Sequence, residues 1–349
     1  MSVVHFLYDG YGASWKDHGP FDASRLADAD HGLSGTEIPM FGMAYELARM
    51  GHDVTVFSRF DEPLYDQSIG WCVRFADLDE DDKDHCDIAI AFHDARRLDG
   101  WPAKLKVAHH QSFLVSNRQQ DATYTGADFA DIYITASDHV ARHLERAYGW
   151  PKVHVVPNAW DFGTYQPWKP IPGRIIYTTS LERGFHRLLE AFPAIRERVP
   201  EAHIVAFERG GPAVEKLKAN PVEGVTLLRA SSLNAVLSEL ASASVYAYPA
   251  DCSSPTEVFP VSLLQACATG LPCVVAPDDG IEHIFGDGVM LSASVKQNPS
   301  TWRDEFVGRV VGMLTSQETA SYWSKRGRRF AEPFTHARSA RMLAEIIGL

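Results

Sequence analysis

The stretch Pro255-Thr256-Glu257-Val258-Phe259-Pro260-Val261-Ser262-Leu263-Leu264-Gln265-Ala266-Cys267-Ala268-Thr269-Gly270-Leu271-Pro272-Cys273-Val274-Val275-Ala276 decides the fold of this chain. It reads as a loop bearing a glutamate, a buried helix, a glycine turn and a buried strand. The apolar run 245–248 just ahead of it reads as another strand. Glu257 therefore stands at the carboxyl end of a strand, where open α/β sheets bind their ligands.

Outward from this stretch, strands and helices alternate. In the first half, apolar runs at 3–8, 54–57, 87–92, 107–110, 132–136 and 153–156 read as strands. Residues 35–50 carry helical periodicity, with Ile38, Phe41 and Tyr45 on one side and Gly51 as the C-cap. A further helix runs from Ser137-Asp138 to about Tyr148. Residues 162–173, with Pro167, Pro170, Pro172 and Gly173, form the best linker. Beyond it the alternation restarts with strands at 175–178, 203–207, 225–228 and 245–248, and helices at 185–199, 212–219 and 234–243. Continuous apolar strands between helices imply parallel sheets covered on both faces. The expected fold is α/β, with two Rossmann-like doubly wound domains facing a cleft. The expected division is 1–165 and 166–334, with an amphipathic last helix at 335–349 packing back on the first domain.

The length of 349 residues suits two domains, and 45% hydrophobic with 22% charged residues suits a globular chain. A net charge of −12 argues against a nucleic-acid binder with a broad basic surface. The five cysteines, at 72, 86, 252, 267 and 273, show no metal-binding spacing. Cys267 and Cys273 read as buried, inert thiols. No signal peptide or spanning run is read, so a cytoplasmic location is expected, with room for peripheral membrane contact.

The opening stretch closely resembles the sugar-nucleotide signature of retaining glycosyltransferases of the glycogen-synthase-like, two-Rossmann-domain type (group 1, family 4). In that family a Glu, seven intervening residues and a second Glu precede a small-residue helix and a Gly-x-Pro-Val-Val strand. Here the positions are Glu257 and Gln265. The resemblance implies that Glu257 orients the sugar, and that Gln265 meets the ribose with an amide in place of a carboxylate. Thr256, Val258, Phe259, Pro260 and Val261 are carried over as donor-binding neighbours, as is Arg229.

Other segments extend the resemblance. Strand 175–178 leads through Thr179-Ser180-Leu181-Glu182-Arg183-Gly184, a shortened form of the family's Gly-Arg and Lys-Gly diphosphate grip. Arg183 would set a permanent cation beside backbone N–H groups at a helix start, with Ser180 and Gly184 lining the turn. The family's second cation has no counterpart here. The loop His31-Gly32-Leu33-Ser34-Gly35-Thr36-Glu37 resembles the phosphate-approaching glycine loop, with Gly35 and Thr36 at the donor; Ser34 or Thr36 also reads simply as a helix cap. His110, of the pair His109-His110, matches a histidine near the sugar and diphosphate. Val155-Val156-Pro157-Asn158-Ala159-Trp160-Asp161 resembles the family's hinge.

The implied activity is transfer of a sugar, a hexosyl group foremost, from a UDP- or GDP-sugar to a hydroxyl acceptor with retention of configuration. The acceptor is a glycan, a lipid or a small molecule, shaped mainly by segment 8–31. The resemblance implies no metal and no cofactor; the nucleoside-diphosphate sugar is a co-substrate. Two other classes stay open: a noncatalytic relative that binds nucleotide or glycan, and a two-domain epimerase or phosphorylase. Two rival motifs fall away. Gly10-Tyr11-Gly12-Ala13-Ser14-Trp15 lacks the third glycine of a dinucleotide fingerprint. Asp77-Leu78-Asp79 imitates a metal-binding Asp-x-Asp, but it opens an acidic run through Asp84 that reads as a solvated loop.

Overall fold

The computed structural model describes residues 1–8, 35–58, 64–66, 73–78, 85–111, 129–161, 163, 165–208, 211–229, 232–252 and 257–349. The chain divides into two compact units, Met1–Phe162 with Phe334–Leu349, and Gly163–Pro333.

The first unit runs β1 (Val3–Tyr8), α1 (Glu37–Arg49), β2 (Asp53–Ser58), β3 (Leu64–Asp66), β4 (Val73–Asp77), β5 (Cys86–Phe92), β6 (Ala103–His110), β7 (Ile132–Thr135), α2 (Asp138–Tyr148) and β8 (Val153–Val155). Its eight-stranded sheet has the order β3-β4-β2-β1-β5-β6-β7-β8. Every pair is parallel except β3 with β4. The central strands bury residues of both faces, as in Val4, Phe6 and Leu7 of β1 and Ile88 to Phe92 of β5. That is why their runs are continuously apolar rather than alternating.

Two elements differ from the sequence reading. β3 and β4 were not expected: three residues in one, and Val-Arg-Phe-Ala-Asp in the other, carry too little pattern. The acidic run accordingly begins inside a strand, with Asp77 paired to Ser58; residues 79–84 lie outside the described residues. Ser137 caps α2 through its hydroxyl, which accepts from the Val140 N–H at 3.4 Å. Thr36 makes no such bond to α1, so the expected cap is absent at that residue. Its backbone is already helical there, which turns the side chain away from the free N–H groups.

The second unit runs β9 (Arg174–Tyr177), a 3₁₀ turn at Leu181–Arg183, α3 (Phe185–Arg198), β10 (His203–Glu208), α4 (Pro212–Ala219), β11 (Val225–Arg229), α5 (Leu233–Ser242), β12 (Val245–Tyr248), α6 (Val261–Thr269), β13 (Cys273–Val275), α7 (Ile281–Phe285), β14 (Met290–Leu291), α8 (Trp302–Thr315) and α9 (Gln317–Ala331). Its six-stranded, all-parallel sheet has the order β11-β10-β9-β12-β13-β14. Sequence order runs outward from β9 through β10 to β11, then returns to β12 on the other side of β9. The reversal leaves a crevice at the carboxyl ends of β9 and β12, the place where doubly wound sheets take ligands.

The chain then re-enters the first unit as α10 (His336–Ile347), which packs on α1. Gly42 makes this contact possible: a Cβ there would lie 1.8 Å from Cδ2 of His336. The return is fastened by Asp161, whose Oδ1 accepts from the His336 backbone N–H at 2.7 Å and lies 2.6 Å from its Nδ1. Ser339 donates to the Pro157 carbonyl at 2.7 Å. The segment read as a hinge thus anchors the C-terminal helix.

Candidate active site

Two loops of the second unit leave neighbouring strands and meet. The first follows β9. Tyr177 is buried, and its hydroxyl donates to the Ser180 carbonyl at 3.2 Å. The Arg183 N–H donates to the same carbonyl at 3.0 Å, closing the 3₁₀ turn. Gly184 ends the turn with φ +112°, a conformation L side chains rarely adopt. A Cβ at Gly184 would stand 2.2 Å from the Pro249 carbonyl oxygen and 2.8 Å from the Asp251 nitrogen. The glycine is what lets the post-β9 loop press against the post-β12 loop. Arg183 therefore sits in a tight turn before α3 rather than in that helix. Glu182 faces the other way and accepts from the Ala213 N–H at the start of α4, at 2.8 Å.

The second loop follows β12. Glu257 is buried, and Val258, Phe259, Pro260 and Val261 are buried behind it. Pro260, with φ −67°, is the N-cap position of α6. Proline restricts the residue before it to extended backbone, so the helix cannot reach back towards Glu257. Glu257 and Gln265 therefore do not share a helix: α6 starts four residues after Glu257 and carries only Gln265. The carboxylate is thus not a helix-dipole charge.

The Glu257 carboxylate holds Arg183. Nη1 of Arg183 donates to Oε1 of Glu257 at 2.5 Å, and the Tyr248 hydroxyl donates to the same oxygen at 3.0 Å. The Glu257 side chain is 5% exposed and that of Arg183 36%. The pair is therefore buried at its acid end and open to solvent at its basic end. Glu257 beside it raises the Arg183 guanidinium still further above its ordinary range. Burial, and then the Glu257 charge, push the Tyr248 phenol well up, so it stays a neutral donor.

The neighbouring cation, Arg187, is held by Asp251 at 2.7 Å and Glu190 at 2.9 Å, with its guanidinium 5.8 Å from the Trp302 ring centre. Gln265 is buried on α6, and its Nε2 has no hydrogen-bond partner among the described residues. Ser180 and Gly184 lie in the Arg183 turn. Arg229 ends the edge strand β11 and is exposed. Thr256 lies outside the described residues, as do Cys72, Asp79 and the segment 9–34 that contains the Gly10 motif and Ser34.

Gly35 and Thr36 lie immediately before α1 in the first unit. His110 ends β6 and is buried, its ring 4.7 Å from that of Trp150. Neither ring nitrogen has a hydrogen-bond partner among the described residues. His109 stacks on Phe92 at 4.3 Å, so the two histidines point to opposite sides of the strand. Burial lowers His110 to about 3, so its imidazole is neutral and brings no charge at pH 7. His93, at the end of β5, has φ +77°. It is the one non-glycine residue with positive φ among the described residues. Such strain gathers at functional sites. Among the described residues no cluster of three or more His, Cys, Asp or Glu could hold a metal ion. Nor is any helix among them long and apolar enough to cross a membrane. Cys86, Cys252, Cys267 and Cys273 are buried.

Tyr248 and Asp251 were missed in the sequence. Tyr248 reads there only as the end of an apolar strand, and nothing in the pattern shows that its hydroxyl meets Glu257.

Residues 172–330 match the model of the family described as glycosyl transferases group 1. The match lies within the second unit, which is thus similar to group 1 glycosyltransferases over that span. The matched span contains Arg183, Tyr248, Glu257 and Gln265. No curated protein matches the chain. Among solved structures, sucrose-phosphate synthase from Thermosynechococcus elongatus is similar at 14% identity and TM-score 0.71, over 99% of this chain and 98% of that one. HepE of Anabaena, solved in complex with UDP and glucose, is similar at 13% identity and TM-score 0.69, over 100% of both chains. WaaG, a glycosyltransferase involved in lipopolysaccharide biosynthesis, follows at 14% identity and TM-score 0.64, over 99% of both. At these identities the likeness concerns the fold: this chain shares the two parallel-sheet α/β domains of its neighbours.

Proposed function

We propose that the second unit binds a nucleoside-diphosphate sugar at the carboxyl ends of β9 and β12, and that the enzyme transfers the sugar to a hydroxyl acceptor with retention of configuration. The observation that carries this reading is the meeting of Arg183 and Glu257. A cation and a carboxylate from the two strands flanking the switch point converge in one crevice.

Departure of a nucleoside diphosphate builds negative charge on the leaving oxygen. A preorganised cation nearby lowers the barrier by stabilising that charge. Arg183 carries a permanent charge, and its solvent-facing side is open to a diphosphate. This supports a reaction without a metal. Glu257 accepts hydrogen bonds from sugar hydroxyls and orients the ring. The buried Nε2 of Gln265 has no acceptor among the described residues and offers an N–H to the donor's ribose. The leaving phosphate takes the acceptor's proton, so no side-chain base is required. His110, neutral in its buried site on the first unit, brings no cation. A cytoplasmic location remains part of the proposal.

UDP is the first nucleoside diphosphate to test, because the Anabaena neighbour was solved with UDP-glucose. Thermal-shift screening with nucleoside diphosphates reads binding directly, since a ligand of the native state raises its stability. Hydrolysis and transfer assays with a panel of sugar nucleotides then separate the classes. Turnover that depends on a hydroxyl acceptor supports the reading. Binding without turnover points to a noncatalytic relative. Turnover that needs free phosphate points to a phosphorylase.

A further inference from the structure

We infer that Asp251 is a positioning residue: it fixes the turn that carries Arg183 by bracketing Gly184 from both sides. The inference rests on the donor-site reading above and adds to that site a residue of the loop after β12.

Asp251 meets the chain on either side of Gly184. Its backbone N–H donates to the Arg183 carbonyl at 3.4 Å. Its Oδ2 accepts from Nε of Arg187 at 2.7 Å and lies 3.2 Å from Nε2 of His186, both in the first turn of α3. One residue of the post-β12 loop thus holds the end of the 3₁₀ turn and the start of the helix that follows. Between these two grips Gly184 keeps φ +112°. Backbone in such a sparsely populated region persists where its surroundings over-determine it. Asp251 contributes to that with a backbone bond and a short charge-assisted one.

The far side of the bracket is anchored. Arg187 also bonds Glu190 at 2.9 Å, and its guanidinium lies 5.8 Å from the Trp302 ring centre on α8. The Asp251 side chain is 18% exposed and that of Arg187 32%. Two helices therefore keep the guanidinium in place, and Asp251 ties the loop to it. Loss of the Asp251 carboxylate leaves α3 standing and loosens the turn in front of it. Arg183 then samples several directions, and a diphosphate has to order it on binding. A cation that binding must order holds its ligand less tightly than one already in place. Asp251 touches no part of the donor in this scheme; it acts through Arg183.

The test is Asp251→Ala in the full chain, with UDP binding followed by calorimetry. The expected result is a dissociation constant raised about three- to tenfold with the number of sites unchanged. In an Arg183→Ala background the same substitution shifts the constant by less than about twofold, because the group it acts through is gone. An effect that persists in full without Arg183 overturns the inference. So does a loss of sites at an unchanged constant, which marks a merely structural change. Asp251→Asn keeps the side chain's shape and an acceptor oxygen but not its charge. It gives a smaller rise in the same direction, and it carries the test if the alanine variant does not fold. Wild-type affinity in the variant that folds overturns the inference alone. A wild type that binds no nucleoside diphosphate overturns the donor-site reading, and the inference with it.

Discussion

Nη1 of Arg183 lies 2.5 Å from Oε1 of Glu257, although the two residues leave different strands and stand 74 positions apart. Each is the counter-ion of the other before any donor is present. A phosphate group entering the crevice competes with a carboxylate for one guanidinium, and that competition shapes what each substitution does.

Glu257→Ala lowers turnover by about 10²–10³-fold, the cost of losing one preorganised polar contact at a reacting centre. Nucleoside-diphosphate affinity holds or tightens, because Arg183 is released. The fold persists, since water reaches the exposed guanidinium. Steady-state kinetics, calorimetry and a melting curve on the same preparation check all three; near-normal transfer would sink the role given to Glu257.

Arg183→Ala weakens UDP binding by roughly 10–100-fold, the range for a hydrogen bond to a charged group. The melting temperature also falls, because the 5%-exposed Glu257 loses its counter-charge. Calorimetry gives the first effect and thermal denaturation the second. An unchanged dissociation constant would refute a diphosphate contact.

Gly184→Ala destabilises the second unit by about 1–3 kcal/mol, through φ +112° and the 2.2 Å approach to the Pro249 carbonyl. Urea denaturation measures the loss. The variant also weakens UDP binding, because the Arg183 turn can no longer sit against the post-β12 loop.

Acid destabilises the first unit through its buried histidines. Burial lowers His93 to about 4 and His109 and His110 to about 3, from an ordinary 6.5. Below pH 6.5 the unfolded chain binds protons that the folded chain refuses, so stability falls as pH drops from 6.5 towards 3. The slope is at most about 1.4 kcal/mol per pH unit for one histidine. Melting temperatures measured from pH 7 to pH 4 show this decline, and His110→Phe makes it shallower. A pH-independent Tm over that range contradicts the buried, neutral assignment.

The alternation of buried strands and helices is plain in the sequence because strands covered on both faces are apolar throughout. The runs at 3–8, 203–207 and 245–248 coincide with β1, β10 and β12 to within a residue. β3 and β4 escaped because short strands carry little periodicity. Apolarity alone does not mark where the helix after Glu257 begins, because Val258 and Phe259 are as apolar as a helix core; the restriction imposed by Pro260 decides its start at Val261.

The sequence by itself determined two parallel α/β sheets, the place of Glu257 after one strand and of Arg183 after another, and the glycine between that arginine and its helix. These are local facts, legible from residue type and spacing. Only the tertiary structure decided that β9 and β12 are neighbours, that Arg183 and Glu257 close on each other, and that Tyr248 and not Gln265 touches the carboxylate. Strand order sets which loops converge, and it arises from the packing of whole strands across long stretches of chain. No local pattern encodes it.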